Sequence, residues 1–354
     1  MSLRVVLRAP SGETVTRDVV DGRWAEPSGD PDLVLGEGLW ALPGLADAHA
    51  HLASSDLDYR PGVLEGAIDR ARASLAAGVT LILDKGWTDD VTIRLIARLN
   101  EAERPDIEAA AQIIAAVDGY YPDFADEVTG DELAGRVVEQ VGAGAGWVKL
   151  IGDWPRRGVG PVANFDESQL RLAVETAEAE GARVAIHTMA PEVPSAAVAA
   201  GVHSIEHGLF LESDDLGPLG ERDGMWVPTV LRCEATLALL GEASSGGRLF
   251  AEGLQRIKGL LPLAVEAGVR VLAGTDLVGS PADIADEALR LADYGLTNAQ
   301  VVEAVSSAAF LATGRAASFE IGAPADAVLF PQNPVEALNV LAHPDHVIRL
   351  GNPR

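Results

Sequence analysis

The chain has 354 residues, 48% of them hydrophobic, a formal charge of -26 and a single cysteine, Cys233. The acidic balance excludes a nucleic-acid binder, because phosphate backbones require a concentrated positive surface. One cysteine excludes a disulfide framework and a cysteine-rich structural zinc site, and fits a reducing, cytoplasmic compartment. No apolar run is long enough to cross a bilayer.

The first forty residues read as short strands at 3–7, 14–20 and 31–35, with a Gly12-Glu13 turn between the first two. From Leu42 onward, apolar runs alternate with alanine-rich segments at helical spacing, the pattern of βα units. Strands are expected at 42–48, 80–84, 108–114, 147–151, 184–187, 204–206, 226–230 and 269–275. Helices are expected at 63–77, 91–102, 131–141, 169–180 and 298–311, with Asp166 as an N-cap. Eight parallel strands in series fit an α/β fold of the (β/α)8 TIM-barrel type. Ala-Gly-Val steps at 77–79, 200–202 and 267–269 end helices and start strands, and no phosphate-binding glycine signature is present. Strand-like runs return at 327–330, 340–341 and 346–350. The β-rich ends predict one small β-sandwich built from both termini, residues 1–46 with 318–354, beside a barrel of residues 47–317.

His49 and His51 lie two apart at the end of an apolar run, so on a strand both imidazoles face one way. Barrel active sites form at the C-terminal strand ends. His187, His207 and Asp276 fall at such ends as well. Each alone reads first as a hydrogen-bonded strand-end group; together they point to a catalytic site for a divalent transition metal. Lys149 sits inside the apolar run Trp147-Val148-Lys149-Leu150, where an ammonium is expensive to bury. It either snorkels or pairs with an acid such as Asp153, or it stays neutral and reacts with carbon dioxide. The resulting carbamate presents two oxygens able to bridge two cations.

Trp87, Tyr120, Tyr121, Trp154, Arg156, Arg157 and Arg232 are candidates for substrate contact at the rim. Aromatic rings stack on a cyclic or apolar group, and arginine clamps a carboxylate. Arg232, two residues beyond Val230, is the foremost carboxylate candidate, while Arg156 and Arg157 read equally as solvated. Glu206 either orients a histidine or pairs with a barrel arginine. His203, His343, His346 and Cys233 read as structural.

The segments Pro43-Gly44-Leu45-Ala46-Asp47-Ala48-His49-Ala50-His51, Trp147-Val148-Lys149-Leu150, Ala185-Ile186-His187, Ser204-Ile205-Glu206-His207-Gly208, Val227-Pro228-Thr229, Gly274-Thr275-Asp276 and Gly322-Ala323-Pro324-Ala325-Asp326-Ala327-Val328-Leu329-Phe330 span nearly the whole chain. This pattern resembles the amidohydrolase superfamily, in its imidazolonepropionase-like and Xaa-Pro dipeptidase-like branch. The resemblance implies that His49, His51 and Asp276 hold a buried metal and His187 and His207 a more exposed one. It also implies two zinc ions bridged by N6-carboxylated Lys149, although some relatives use one metal. The usual Arg-Asp after strand two is replaced by Asp84-Lys85-Gly86, which reads as the mark of a divergent substrate pocket.

The expected activity is hydrolysis of an amide C–N bond, in a cyclic amide, an N-acyl amino acid or a small dipeptide, by metal-activated hydroxide. Asp276 would move the proton, with Lys149 and His207 also catalytic. An ester, lactone or heterocycle substrate at the same site is the alternative. A metal-binding protein without turnover is the alternative of another class. The expected partner is a small-molecule substrate, with neither nucleic acid nor membrane, and homo-oligomerisation is left open.

Overall fold

A computed structural model describes residues 2–54, 63–156, 159–277 and 283–354. Leu3–Arg8 buries alternate side chains, as a strand with one core face must. It pairs antiparallel with Thr14–Val20, which pairs with Arg23–Ala25, and parallel with Leu33–Leu35. A second four-stranded sheet joins Trp40–Leu42 to Ala327–Phe330, His346–Arg349 and Asn352–Pro353. Leu3, Val5, Leu7 and Trp24 from the first sheet bury against Ala41, Ala327, Leu329 and Ile348 from the second. The expected sandwich from both termini is therefore present.

The central body is a TIM-barrel-like α/β core. Its parallel strands are Leu45–Ala50, Val79–Asp84, Asp106–Ala109, Trp147–Ile151, Arg183–Thr188, Ser204–His207, Met225–Val227 and Arg270–Val271. The first three form one ladder and the last five another. Backbone bonds join the two ladders. Gly146 N donates to Ala109 O at 3.0 Å, linking strands three and four. Ala48 N donates to Ala273 O and Asp276 N to His49 O, both at 2.8 Å, linking strands eight and one. This closure brings Asp276 beside His49 across more than two hundred residues of chain.

Ala46, Leu81, Leu83, Trp147, Ala185, Met225 and Leu272 form a buried layer on the strands. Side chains two residues further along two of these strands have the same facing, which places Lys149 above Trp147 and His187 above Ala185. Among the described residues no helix is long and apolar enough to cross a membrane.

Several elements differ locally from expectation. The strand expected at 42–48 is split: Trp40–Leu42 belongs to the sandwich, and the barrel strand starts at Leu45. The run 108–114 is two strands, Asp106–Ala109 and Ile114–Ala116, joined where Ala110 bridges to Trp147 and Gln112 to Trp87. Strand seven ends at Val227, and Val230 opens a helix, Val230–Leu240, because Thr229 turns the chain with φ +44°. The apolar pair at 340–341 lies in a 3-10 helix, Leu338–Ala342. The 298–311 segment is two helices, Asn298–Ala304 and Ser307–Ala312, broken at Ser306, whose hydroxyl donates to Gly44 O at 2.5 Å.

Candidate metal centre

His49, His51, Lys149, His187, His207 and Asp276 all line one cavity of about 240 Å³ at the C-terminal strand ends. Three of them form a tight group, with ligand atoms of His49, His51 and Asp276 within 4.8 Å of one another. The Nε2 atoms of His49 and His51 lie 3.5 Å and 3.3 Å from Asp276 Oδ1. His187 and His207 stand beside this group, their ring centroids 4.7 Å apart, and His207 Nδ1 is 3.9 Å from Asp276 Oδ2.

The outward nitrogens show what the inner ones are for. His49 Nδ1 lies 2.6 Å from Glu206 Oε2, so its proton belongs there and Nε2 keeps a lone pair. His51 Nδ1 donates to the Gly86 carbonyl at 2.7 Å and leaves its Nε2 in the same state. Two lone pairs and a carboxylate oxygen then converge with no proton among them. Such a set repels itself unless a cation lies between, which is the chemistry of a divalent metal site.

Burial lowers the His49 imidazolium to about 4 and that of His207 to about 3, so both imidazoles are neutral at ordinary pH. Burial works against the Asp276 carboxylate, while the Arg232 guanidinium, 3.9 Å from Oδ2, favours its charged form. The backbone is strained at three of these strand ends: His207, Thr229 and Asp276 have φ of +63°, +44° and +42°. Gly274 is required for the approach of strand eight, since a Cβ there would meet His49 Cβ at 2.6 Å.

Beneath the ligands, Glu206 orients His49 and pairs with Lys85, whose Nζ is 3.2 Å from Oε1, rather than with an arginine. Ser204 Oγ donates to the same oxygen at 2.5 Å. Lys85 is fully buried and packs 4.3 Å from the Trp147 ring. The expectation that Asp84-Lys85-Gly86 marks the substrate pocket is corrected: Lys85 is not among the described residues that line the cavity. Asp84 accepts from Leu52 N at 2.6 Å and Gly86 N at 2.9 Å, tying together the loops that set His51 and its carbonyl partner. Replacing one member of a buried pair strands the other charge. Lys85→Met is thus expected to destabilise the metal-free protein by about 3–5 kcal/mol in urea unfolding. Adding Glu206→Gln should recover much of that loss; no recovery would mean that the pair is not the coupling.

Lys149 does not pair with Asp153. That carboxylate accepts from Met189 N at 2.8 Å and is raised to about 6 by burial, against bonds from the Ala190 and Met189 amides. Lys149 Nζ is buried without a hydrogen-bond partner among the described residues. Burial, with Lys85 nearby, lowers its ammonium to about 8 against the pull of Glu206.

The rim is aromatic on one side. Trp87 packs 5.5 Å from the His51 ring, while Tyr120 and Tyr121 lie 4.5 Å and 4.6 Å from Trp154. Trp154 comes from a hairpin, Asp153–Arg156 with Gly160–Ala163, which the sequence reading missed; its two prolines mask the strand signal. Arg232 reaches the cavity from the helix after strand seven, with Nε 3.9 Å from Asp276 Oδ2. Arg156 is outside the lining and donates to Asn164 at 3.4 Å, and Arg157 lies outside the described residues. His203 accepts from Val184 N and faces Glu178, away from the site. Cys233 is buried and its thiol is pushed up, leaving it unreactive.

Residues 40–354 match the model of the amidohydrolase family. An uncharacterised protein of Mycobacterium tuberculosis is 34% identical to the chain, over 98% of its length and 93% of the relative's. An ochratoxinase of Aspergillus niger is 24% identical, over 86% of the chain and 73% of the relative. Among solved structures, a Xaa-Pro dipeptidase with methionine bound in its active site superposes with a TM-score of 0.83 at 21% identity, covering all of both chains. The chain belongs to the amidohydrolase family, and is by that membership and its histidine–aspartate cluster a metal-dependent hydrolase.

Proposed function

We propose that this enzyme hydrolyses the amide C–N bond of a small N-acyl amino acid, acting in the cytoplasm. The observation that carries the reading is one cavity holding all six candidate ligands, a cation at Arg232 and an aromatic wall. Arg232 offers paired donors for a substrate carboxylate, and Trp154 with Tyr120 and Tyr121 offers a stacking surface for the acyl group. Among the described lining residues the acids are Asp153 and Asp276. Asp153 is engaged by backbone amides and Asp276 by the ligand group, so neither is available to a free ammonium. That favours an acylated nitrogen over the free amino terminus of a dipeptide. The named Xaa-Pro dipeptidase with a bound amino acid supports amide chemistry in this fold.

The donors suit two divalent ions, zinc by the imidazole-rich set. His49, His51 and Asp276 would hold one ion, and His187 and His207 the other. Lys149, as a carbamate, would bridge them; its partnerless amine faces the same cavity. When bound, such ions lower the pKa of water and polarise a carbonyl. The chain itself performs the rest. Asp276 takes a proton from the attacking water at a carboxylate oxygen and returns it to the leaving nitrogen. Arg232 fixes the substrate's carboxylate, and the aromatic wall excludes bulk water from the scissile bond.

The test compares N-acyl amino acids with dipeptides, lactones and esters, using zinc-loaded protein with and without chelator. Chelator-sensitive cleavage of N-acyl amino acids, with Arg232→Met raising KM about tenfold or more by loss of a charge-assisted bond, is expected. Preference for an uncharged lactone, insensitive to Arg232→Met, would overturn the reading.

A further inference from the structure

Thr229 stands where two duties meet, and its hydroxyl performs only one of them. As the residue preceding the Val230–Leu240 helix it occupies the N-cap position, where a hydroxyl ordinarily accepts from the helix's first amides. Its side chain makes no such cap. Its Oγ1 lies instead 2.6 Å from His207 Nδ1, and its backbone takes the strained φ of +44° that points it there. The helix's first turn would be left with unsatisfied buried donors.

Glu287 fills that gap from another element. It lies in the Ile284–Asp293 helix, fully buried, and its two oxygens accept from Val230 N and Leu231 N, each at 2.8 Å. A buried carboxylate is costly; burial works against its charged form, and the bonds from both amides work for it. The next residue in the turn it holds is Arg232. One side chain thus fastens both the hydroxyl on His207 and the arginine at the cavity.

We infer that Glu287 is a positioning residue that substitutes for Thr229 as the helix cap, leaving the Thr229 hydroxyl to orient His207 and setting Arg232 at the cavity. This rests on the metal-dependent hydrolase reading. The experiment therefore has a readout that does not need turnover: the rate at which the zinc-loaded protein surrenders metal to a competing chelator.

Glu287→Gln keeps the shape but gives up one of the two acceptors. A folded Glu287→Gln protein should lose the more weakly held metal roughly tenfold faster, the range found when ligand-orienting partners are removed. With an N-acyl amino acid as substrate it should also show a raised KM, through Arg232. Thr229→Val, which removes only the hydroxyl, should speed metal loss similarly while leaving KM nearly unchanged. In the double variant the metal-loss effects should not add, because both remove the same restraint on His207. Additive effects, or metal retention unchanged in either variant, overturn the inference. Should Glu287→Gln fail to fold, Thr229→Val alone decides, since unchanged metal retention would mean its hydroxyl does not orient His207. Should no amide be cleaved, altered metal retention still supports the cap while the substrate reading falls.

Discussion

Asp276→Asn should lower kcat by about a thousandfold, within the range that a positioned acid–base group supplies. The substitution suits the site because asparagine tolerates the left-handed backbone that Asp276 adopts at φ +42°. Shape and main chain stay, so the change isolates the charge and the proton-accepting oxygen. Both matter here. Oδ1 faces the lone pairs of His49 and His51, and Oδ2 faces Arg232 and His207. A neutral amide can neither accept the water's proton nor balance a divalent ion as well. Metal content and kcat should therefore be measured on the same preparation. An asparagine variant with full metal occupancy and more than a tenth of the parent rate would remove Asp276 from the proton path.

The meeting of the candidate residues in one cavity was legible because barrel geometry turns a linear pattern into a spatial one. Each candidate ends or follows a short apolar run, and parallel strands bring those ends to one rim. What sequence could not reveal depended on contacts across the chain. Lys85 follows a strand whose every side chain is buried, so periodicity gave no clue that it points beneath the site toward Glu206. The helix that carries Arg232 was not expected, because a left-handed threonine leaves no mark in hydrophobic patterning. The break at Ser306 within 298–311 answers to a carbonyl on Gly44, far off in sequence. Short apolar pairs such as Val340-Leu341 carry too few residues to separate a 3-10 turn from a strand. The sandwich was readable from both ends because short strand-like runs occur at each and neither end alone supplies enough of them.

Lys149→Met is expected to move stability and activity in opposite directions. Nζ is buried with no hydrogen-bond partner among the described residues, so in metal-free protein an apolar side chain of similar length should relieve an unpaired polar group. Unfolding in urea should show the variant at least as stable as the parent. In the loaded protein the expected loss is the bridge. On the proposed reading the amine lone pair would attack carbon dioxide, one C–O π pair would move to oxygen, and the nitrogen would release a proton, leaving a carbamate with two donor oxygens. Without it, metal content should fall from two ions per chain to one. The rate should drop about a hundredfold or more, as when a charge-stabilising group is deleted from a dry site. Isotopically labelled bicarbonate gives an independent reading, since a carbamate carbon resonance should be present in the loaded parent and absent in the variant. Lys149→Ala leaves room for a short carboxylate, and added formate or acetate should restore part of the rate by supplying the missing oxygens. Two ions retained in Lys149→Met would show that the donors of strands one, five, six and eight suffice. The buried amine would then need another reason to lack a partner.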